Sequence, residues 1–179
     1  YLATRGPAAF LGRVRAGGRG VKSGLTISRC RSRWQDAEAL RWSRSLADRQ
    51  LGLRIYTSRL LGAEPGLVLH GGGNTSLKSI LRTLSGEERR VLWIKGSGMD
   101  LAVATEHGFA ALDAVATRGL VDLEELSDRD MVRELRRLRF DPDGPSPSVE
   151  TLLHAFLPYR FVDHTHADAV LAVLASADG

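Results

Sequence analysis

The sequence lacks several features that would fix its class at once. It has one cysteine, Cys30, so it has no internal disulfide framework, and this predicts a reducing compartment and a cytoplasmic location. It has no run of about twenty apolar residues, so we expect no membrane span and no membrane partner. It has no internal repeat. Its 179 residues, 43% hydrophobic and 26% charged, have the size and composition of one globular domain.

Negative charge is missing from the first 33 residues. This segment carries eight basic side chains and no acidic one. The rest of the chain has 17 basic against 21 acidic residues, a net charge of −4 in place of the overall +4. The positive net charge of the chain therefore comes from residues 1–33, and we treat residues 34–179 as the domain.

Three interpretations of residues 1–33 remain open: an organelle transit segment, a nucleic-acid-binding arm, or sequence that belongs to no fold. The chain starts at Tyr1, its first methionine is Met99, and no known binding motif accompanies the basic residues. We therefore expect a disordered or spurious leader, and no nucleic acid as a partner.

Hydrophobic periodicity and breakers predict alternating helices and short strands in the rest of the chain. The predicted helices span residues 34–50, 53–61, 109–118, 127–139 and 149–157. The predicted strands span residues 67–70, 77–81, 90–94 and 160–167.

Two small-residue loops each follow a predicted strand. The first, residues 71–76, reads Gly-Gly-Gly-Asn-Thr-Ser, and the second, residues 95–98, reads Lys-Gly-Ser-Gly. Glycines let a backbone approach a ligand closely, and exposed amides bind anionic oxygens. A tight hairpin explains the first loop equally well, but two such loops at one sheet edge favour a phosphate site.

A carboxylate and two histidines lie within a short C-terminal stretch. His164 and His166 are two residues apart in an apolar run, so a strand would point both imidazoles to one face. Two such imidazoles supply two of the three protein ligands of a catalytic zinc site, although a bare His-x-His more often binds no metal. Glu150 follows Ser148, a natural N-cap, and falls in the first turn of a predicted helix, where it could act as a base or only favour the helix dipole.

The remaining histidines carry no motif. His70, His107 and His154 are isolated in the sequence, and each is interpreted as a surface or core residue.

In their order, four motifs resemble the class II aldolase/adducin family. They are His-Gly-Gly-Gly-Asn-Thr-Ser, Lys-Gly-Ser-Gly, Pro-Ser-Val-Glu-Thr and His-Thr-His. The resemblance covers about Ser32 to the end and is strongest to bacterial members that act on rhamnulose 1-phosphate and are fused to a short-chain dehydrogenase. It implies an α/β fold with a central, mainly antiparallel sheet flanked by helices, whose last strands are missing from this sequence.

The resemblance also implies an activity. It predicts a zinc enzyme that reversibly cleaves a ketose 1-phosphate, here rhamnulose 1-phosphate, to dihydroxyacetone phosphate and lactaldehyde, and that forms a homo-oligomer, commonly a tetramer. A related zinc epimerase or dehydratase of another sugar phosphate would share the same motifs. A non-catalytic adducin-like interaction module is the alternative from another class, and it would be expected to lack the histidines and the glutamate.

Carried over by motif, the resemblance assigns roles to nine residues. The implied zinc ligands are His164 and His166, the implied acid/base is Glu150, the implied phosphate contacts are Asn74, Ser97, Gly98 and Ser148, and the residues that shape the first loop are Gly73 and Ser76.

Two departures from the family pattern limit what the resemblance implies. Some members have a second serine where this chain has Val149, and the third zinc histidine is expected downstream of His-x-His, beyond Gly179. We therefore expect an N-terminal fragment that binds zinc weakly or not at all and is inactive in isolation. NAD is expected only if a dehydrogenase domain follows.

Overall fold

The computed structural model describes residues 32–176, so most of the predicted leader lies outside the described residues. The longest helix in this range has 14 residues, and none there could cross a bilayer. The helices are α1 (Asp36–Ser45), α2 (Arg49–Gly62), α3 (Ala114–Gly119), α4 (Asp128–Arg137), α5 (Thr151–Phe156) and α6 (Asp168–Leu174). The strands are β1 (Asn74–Arg82), β2 (Glu88–Lys95), β3 (Phe109–Asp113) and β4 (Phe161–His164).

The four strands form one antiparallel sheet in the order β3-β2-β1-β4. β1 and β2 form a hairpin that pairs Ser79 with Val91, and Gly86 takes a φ of +86° in its turn. β4 then pairs with the first half of β1, from Asn74 opposite His164 to Leu77 opposite Phe161. The predicted α/β fold with a mainly antiparallel sheet flanked by helices is therefore confirmed.

Helices cover both faces of the sheet because side chains alternate along each strand. On one face, Leu51 and Ile55 of α2 pack against Leu77, Ala104 and Phe109. On the other face, one cluster joins α4 and α5 to β2 and β3; it contains Leu92, Ile94, Ala110, Leu112, Leu135 and Ala155. The two clusters lie on opposite faces of the sheet and make up most of the buried apolar residues.

The predicted helix over residues 109–118 is wrong in its first half. Residues Phe109–Asp113 form β3, which pairs with β2, and helix α3 follows from Ala114. Asp113 makes the transition, because its side chain accepts the N–H groups of Val115 and Ala116 and so caps the helix.

The predicted strand over residues 67–70 is also wrong. The carbonyl of Glu64 accepts the amides of both Leu67 and Val68, which makes this stretch a turn after α2. His70 takes a φ of +51°, outside the extended range of a strand. The predicted helix over residues 34–50 also ends early, at Ser45, and Asp48 caps α2 by accepting the amides of Gln50 and Leu51.

Candidate active site

Strand ends meet at one edge of the sheet. β1 begins at Asn74 opposite His164, where β4 ends, and β2 ends close by at Lys95. The strand therefore starts inside the loop predicted over residues 71–76, and Asn74 and Ser76 are buried strand residues. The two glycine loops and the residues after β4 therefore lie together at this edge of the sheet.

The two glycine loops touch. A Cβ atom added to Gly71 would lie 3.2 Å from the carbonyl oxygen of Gly98. Lys95 joins the loops, because its Nζ donates to the carbonyl of Gly71 at 2.9 Å and to that of Met99 at 2.7 Å. Burial lowers the pKa of Lys95, opposed by the carboxylates of Glu150 and Asp100. In the sequence this lysine stands only as the first residue of the second loop.

Two glycines in these loops require a backbone that favours glycine. Gly73 has a φ of +65°, and a Cβ there would lie 3.0 Å from the carbonyl oxygen of His164 and 3.1 Å from Val68. Gly98 has a φ of +75° with open space around the position of a Cβ. Gly73 therefore packs the first loop against the end of β4, whereas Gly98 borders free volume.

The segment before α5 joins the second loop. The amide of Ser97 donates to the carbonyl of Ser146 at 3.0 Å, and Gly96 forms a β-bridge with Pro147. These contacts bring Ser148, which is buried, to the edge where the loops meet.

Glu150 stands just before α5, at its N-cap, and not in its first turn as predicted. Its amide donates to the Ser148 hydroxyl at 3.3 Å, and that hydroxyl donates to the Glu150 carboxylate at 3.4 Å. The amide of Thr151 donates to the Ser148 carbonyl. The serine and the glutamate are thus held by one turn.

The two histidines of the His-x-His motif meet at this carboxylate. Nε2 of His164 and Nε2 of His166 are 3.1 Å apart. Oε1 of Glu150 is 3.3 Å from Nδ1 of His164 and 4.0 Å from Nε2 of His166. His166 lies beyond the end of β4, so the predicted alternation of side chains along a strand does not set its direction. Its position is held by its amide, which donates to the carbonyl of Leu67.

The surroundings keep Glu150 ionised. Burial alone raises the pKa of Glu150, but the Asn74 side chain, His164, the Ser148 hydroxyl and His166 together lower it below its ordinary value. Near neutral pH this carboxylate is therefore deprotonated, which is the form that a general base must have.

Sequence reasoning missed His154. This residue is 0% exposed, and its Nδ1 pairs with the Ser76 hydroxyl at 2.8 Å, while its Nε2 has no hydrogen-bond partner among the described residues. Burial lowers the pKa of His154 to about 4, against the opposing effect of Glu150. The available signal was its spacing of four from Glu150, which places both on one side of a helical turn.

Two overlapping sets of donors at this site fit a divalent metal, one with His154 and one with His166 beside His164. One ligating atom each from Glu150, His154 and His164 lies within 4.8 Å of the others. The facing Nε2 atoms of His164 and His166 are 3.1 Å apart, so both can lie about 2.0–2.1 Å from one zinc ion. Neutral imidazoles and carboxylates are ligands that zinc uses.

Comparison with known proteins identifies the family of this domain. The family model described as the class II aldolase and adducin N-terminal domain matches residues 53–178. A solved structure, described as the N-terminal class II aldolase domain of a conserved protein from Thermoplasma acidophilum, is 40% identical with a TM-score of 0.69. That match covers 77% of this chain and 64% of the other chain.

A curated relative from Bacillus subtilis (strain 168), named "uncharacterized oxidoreductase YuxG", is 42% identical over 125 residues. The match covers 70% of this chain but spans only 18% of the relative's length. Because the family model matches more than half of its residues and the solved aldolase domain shares its fold, this chain belongs to the class II aldolase and adducin N-terminal domain family.

Proposed function

We propose that this domain carries the acid/base and part of the zinc site of an aldolase that reversibly cleaves a ketose 1-phosphate. The observation that carries the proposal is the carboxylate of Glu150, 3.3 Å from one imidazole of the His-x-His pair and 4.0 Å from the other. The finer proposal for the substrate is rhamnulose 1-phosphate, which gives dihydroxyacetone phosphate and lactaldehyde. It rests on the resemblance of the four motifs.

His164 and His166 would hold the zinc ion. When bound, zinc supplies Lewis-acid stabilisation of the negative charge that develops on a substrate oxygen as the carbon–carbon bond breaks. Glu150 moves the proton at the carbon that loses its bond, and the factors that keep it ionised hold it ready to accept that proton in the condensation direction.

Four residues are proposed to bind the phosphate. Asn74 lies at the start of β1, Ser97 and Gly98 lie in the second loop, and Ser148 lies beside Glu150. Amide and hydroxyl groups at a loop junction bind phosphate oxygens, and that binding energy positions the reacting carbon beside Glu150.

We also propose that the enzyme works as a homo-oligomer. The imidazole of His166 is 46% exposed, so the site is open to solvent on that side. An open side of this kind is where a neighbouring subunit would close the site in the tetramer expected from the resemblance.

The test uses the whole natural polypeptide that contains this domain. We expect about one zinc ion per site and condensation of lactaldehyde with dihydroxyacetone phosphate. The Glu150→Gln variant keeps the shape of the side chain but cannot accept the proton, so condensation should fall on the order of 100-fold or more while the variant stays folded.

Two results would contradict the proposal. Zinc without condensation would favour an epimerase or dehydratase acting on another sugar phosphate. A polypeptide that takes up no zinc would overturn the metal site and favour the adducin-like interaction module.

A further inference from the structure

The residues of the candidate site lie on two elements that are joined by a short turn. Helix α5 follows Glu150 and contains His154, and strand β4 ends at His164. Residues 157–160 connect them. The relative position of the acid/base and the histidines therefore depends on how this turn is held.

Lys78 of β1 holds the turn. Its Nζ donates to the carbonyl of His154 at 2.6 Å, to that of Leu157 at 2.8 Å and to that of Tyr159 at 2.9 Å. These three bonds use all three donors of an ammonium group. Because the ammonium is partly withdrawn from water, the pKa of Lys78 is lowered, and the nearby Arg118 lowers it further.

The sequence explains why a lysine is needed here. In an α-helix the carbonyl of His154 would accept the amide of residue 158, but that residue is Pro158, which has no N–H. The carbonyls at the end of a helix also lack intrahelical partners. Lys78 supplies donors to these groups, and its own amide donates to the carbonyl of Arg160 at 2.8 Å.

We infer that Lys78 is a positioning residue for the metal-binding and acid/base groups. β1 contacts both elements of the site, since Ser76 bonds to His154 and Asn74 pairs with His164. The Lys78 ammonium adds the third attachment, at the turn between them. This inference rests on the proposed function, because it assigns Lys78 to the geometry of that same site.

The neighbouring residue offers a matched control. Ser79 points to the opposite face of β1, where its hydroxyl donates to the Asp48 carboxylate at 2.9 Å. Asp48 also accepts the amides of Gln50 and Leu51 at the start of α2. Asp48→Ala therefore removes three hydrogen bonds, as Lys78→Met does, but on the face away from α5.

The experiment measures zinc affinity by competition with a chromophoric chelator, together with the melting temperature, in the whole natural polypeptide. Lys78→Met keeps the aliphatic stem and should raise the zinc Kd about tenfold or more. Lys78→Arg should restore most of the affinity because a guanidinium also donates to carbonyls. Asp48→Ala should lower the melting temperature and leave the Kd unchanged. If Lys78→Met does not fold, Lys78→Gln, which keeps two donors, should give an intermediate Kd.

Amide hydrogen exchange supplies a second readout that needs no metal. The amides of β4 should exchange faster in Lys78→Met than in the wild type, and not in Asp48→Ala. An unchanged Kd and unchanged exchange in Lys78→Met would overturn the inference, as would an equal loss of affinity in Asp48→Ala. If the wild type binds no zinc, the proposed function fails, and hydrogen exchange alone decides the role of Lys78.

Discussion

The two halves of the sheet bury opposite kinds of side chain. In β2 and β3, the residues that are 0% exposed are all apolar: Val91, Leu92, Ile94 and Leu112. The one buried polar residue of these two strands is Lys95, at the end of β2 beside the site. At the start of β1, beside β4, the buried residues are Asn74, Thr75 and Ser76, and polar groups from α2 and α5 are buried against them.

The difference separates stability from function. Burying apolar area stabilises the fold, whereas a buried polar group costs free energy unless its hydrogen bonds are made. The polar half makes most of them, through Ser58 with Thr75 and His154 with Ser76, and the orphan Nε2 of His154 points to a function that the apolar half lacks. Shortening a buried side chain in the β2–β3 half should therefore lower the free energy of unfolding. Changes in the β1–β4 half should alter metal binding.

The largest expected effect on stability is in the apolar half. Leu92→Ala removes a fully buried side chain and should lower the free energy of unfolding by about 2–5 kcal/mol, as measured by urea denaturation. The zinc Kd of the folded fraction should stay at the wild-type value. A changed Kd would show that the two halves are coupled and that the comparison is wrong.

The second prediction concerns pH in the polar half. Burial holds the pKa of His154 at about 4, against about 6.5 in the unfolded chain, so between these values only the unfolded state binds the proton. Stability of the metal-free protein should therefore fall as pH is lowered from about 6.5 to 4, by on the order of 3 kcal/mol.

His154→Gln is the control for this pH effect, because it keeps a polar side chain but cannot titrate. Its unfolding free energy should be flatter between pH 6.5 and 4.5, above the ordinary pKa of a carboxyl group, about 4. An equally steep fall in the variant would assign the pH dependence to other groups.

The third effect concerns an ion pair that anchors β4. Arg54 of α2 is 1% exposed and lies 2.6 Å from the half-exposed carboxylate of Asp163. Asp163→Asn leaves the buried guanidinium with a neutral partner and should lower the unfolding free energy by about 1–3 kcal/mol, less than for a fully buried pair because water reaches Asp163. The double variant with Arg54→Met should lose less unfolding free energy than the two single variants lose together. Losses that add up would show that the two side chains are not coupled.

The smallest effect is expected at the second loop. Gly98→Ala meets no neighbouring atom, so it should cost only the conformational penalty of a positive φ, about 1 kcal/mol. It should also raise KM for the phosphorylated substrate, since Gly98 borders the proposed phosphate site. Gly73→Ala, which also approaches Val68 and the His164 carbonyl, should cost more. Equal costs would mean that the close contacts at Gly73 relax freely.

The sequence predicted the parts of the fold that depend on local patterns. The hairpin strands β1 and β2 and the helix after Ser127 follow from periodicity and capping, and all are present. β3 was mistaken for helix because its first four residues are apolar without alternation, and only the non-local pairing with β2, such as that of Ala111 with Trp93, makes it a strand.

The site was predictable as motifs but not as contacts. The order of the motifs indicated that the two loops, Glu150 and the His-x-His pair belong together, and the structure places them at one edge. The roles of Lys78 and Lys95 were not predictable, because their ammonium groups bind backbone carbonyls, which leave no sequence pattern. His154 offered only its spacing from Glu150, since its partner Ser76 is distant in sequence.

Anomalous diffraction at the zinc edge, from crystals of the zinc-loaded polypeptide, tests the metal assignment most directly. We expect one strong peak within about 2.0–2.1 Å of Nε2 of both His164 and His166, with the Glu150 carboxylate beside it. A peak held by His154 in place of His166, or no peak at this edge of the sheet, would contradict the assignment.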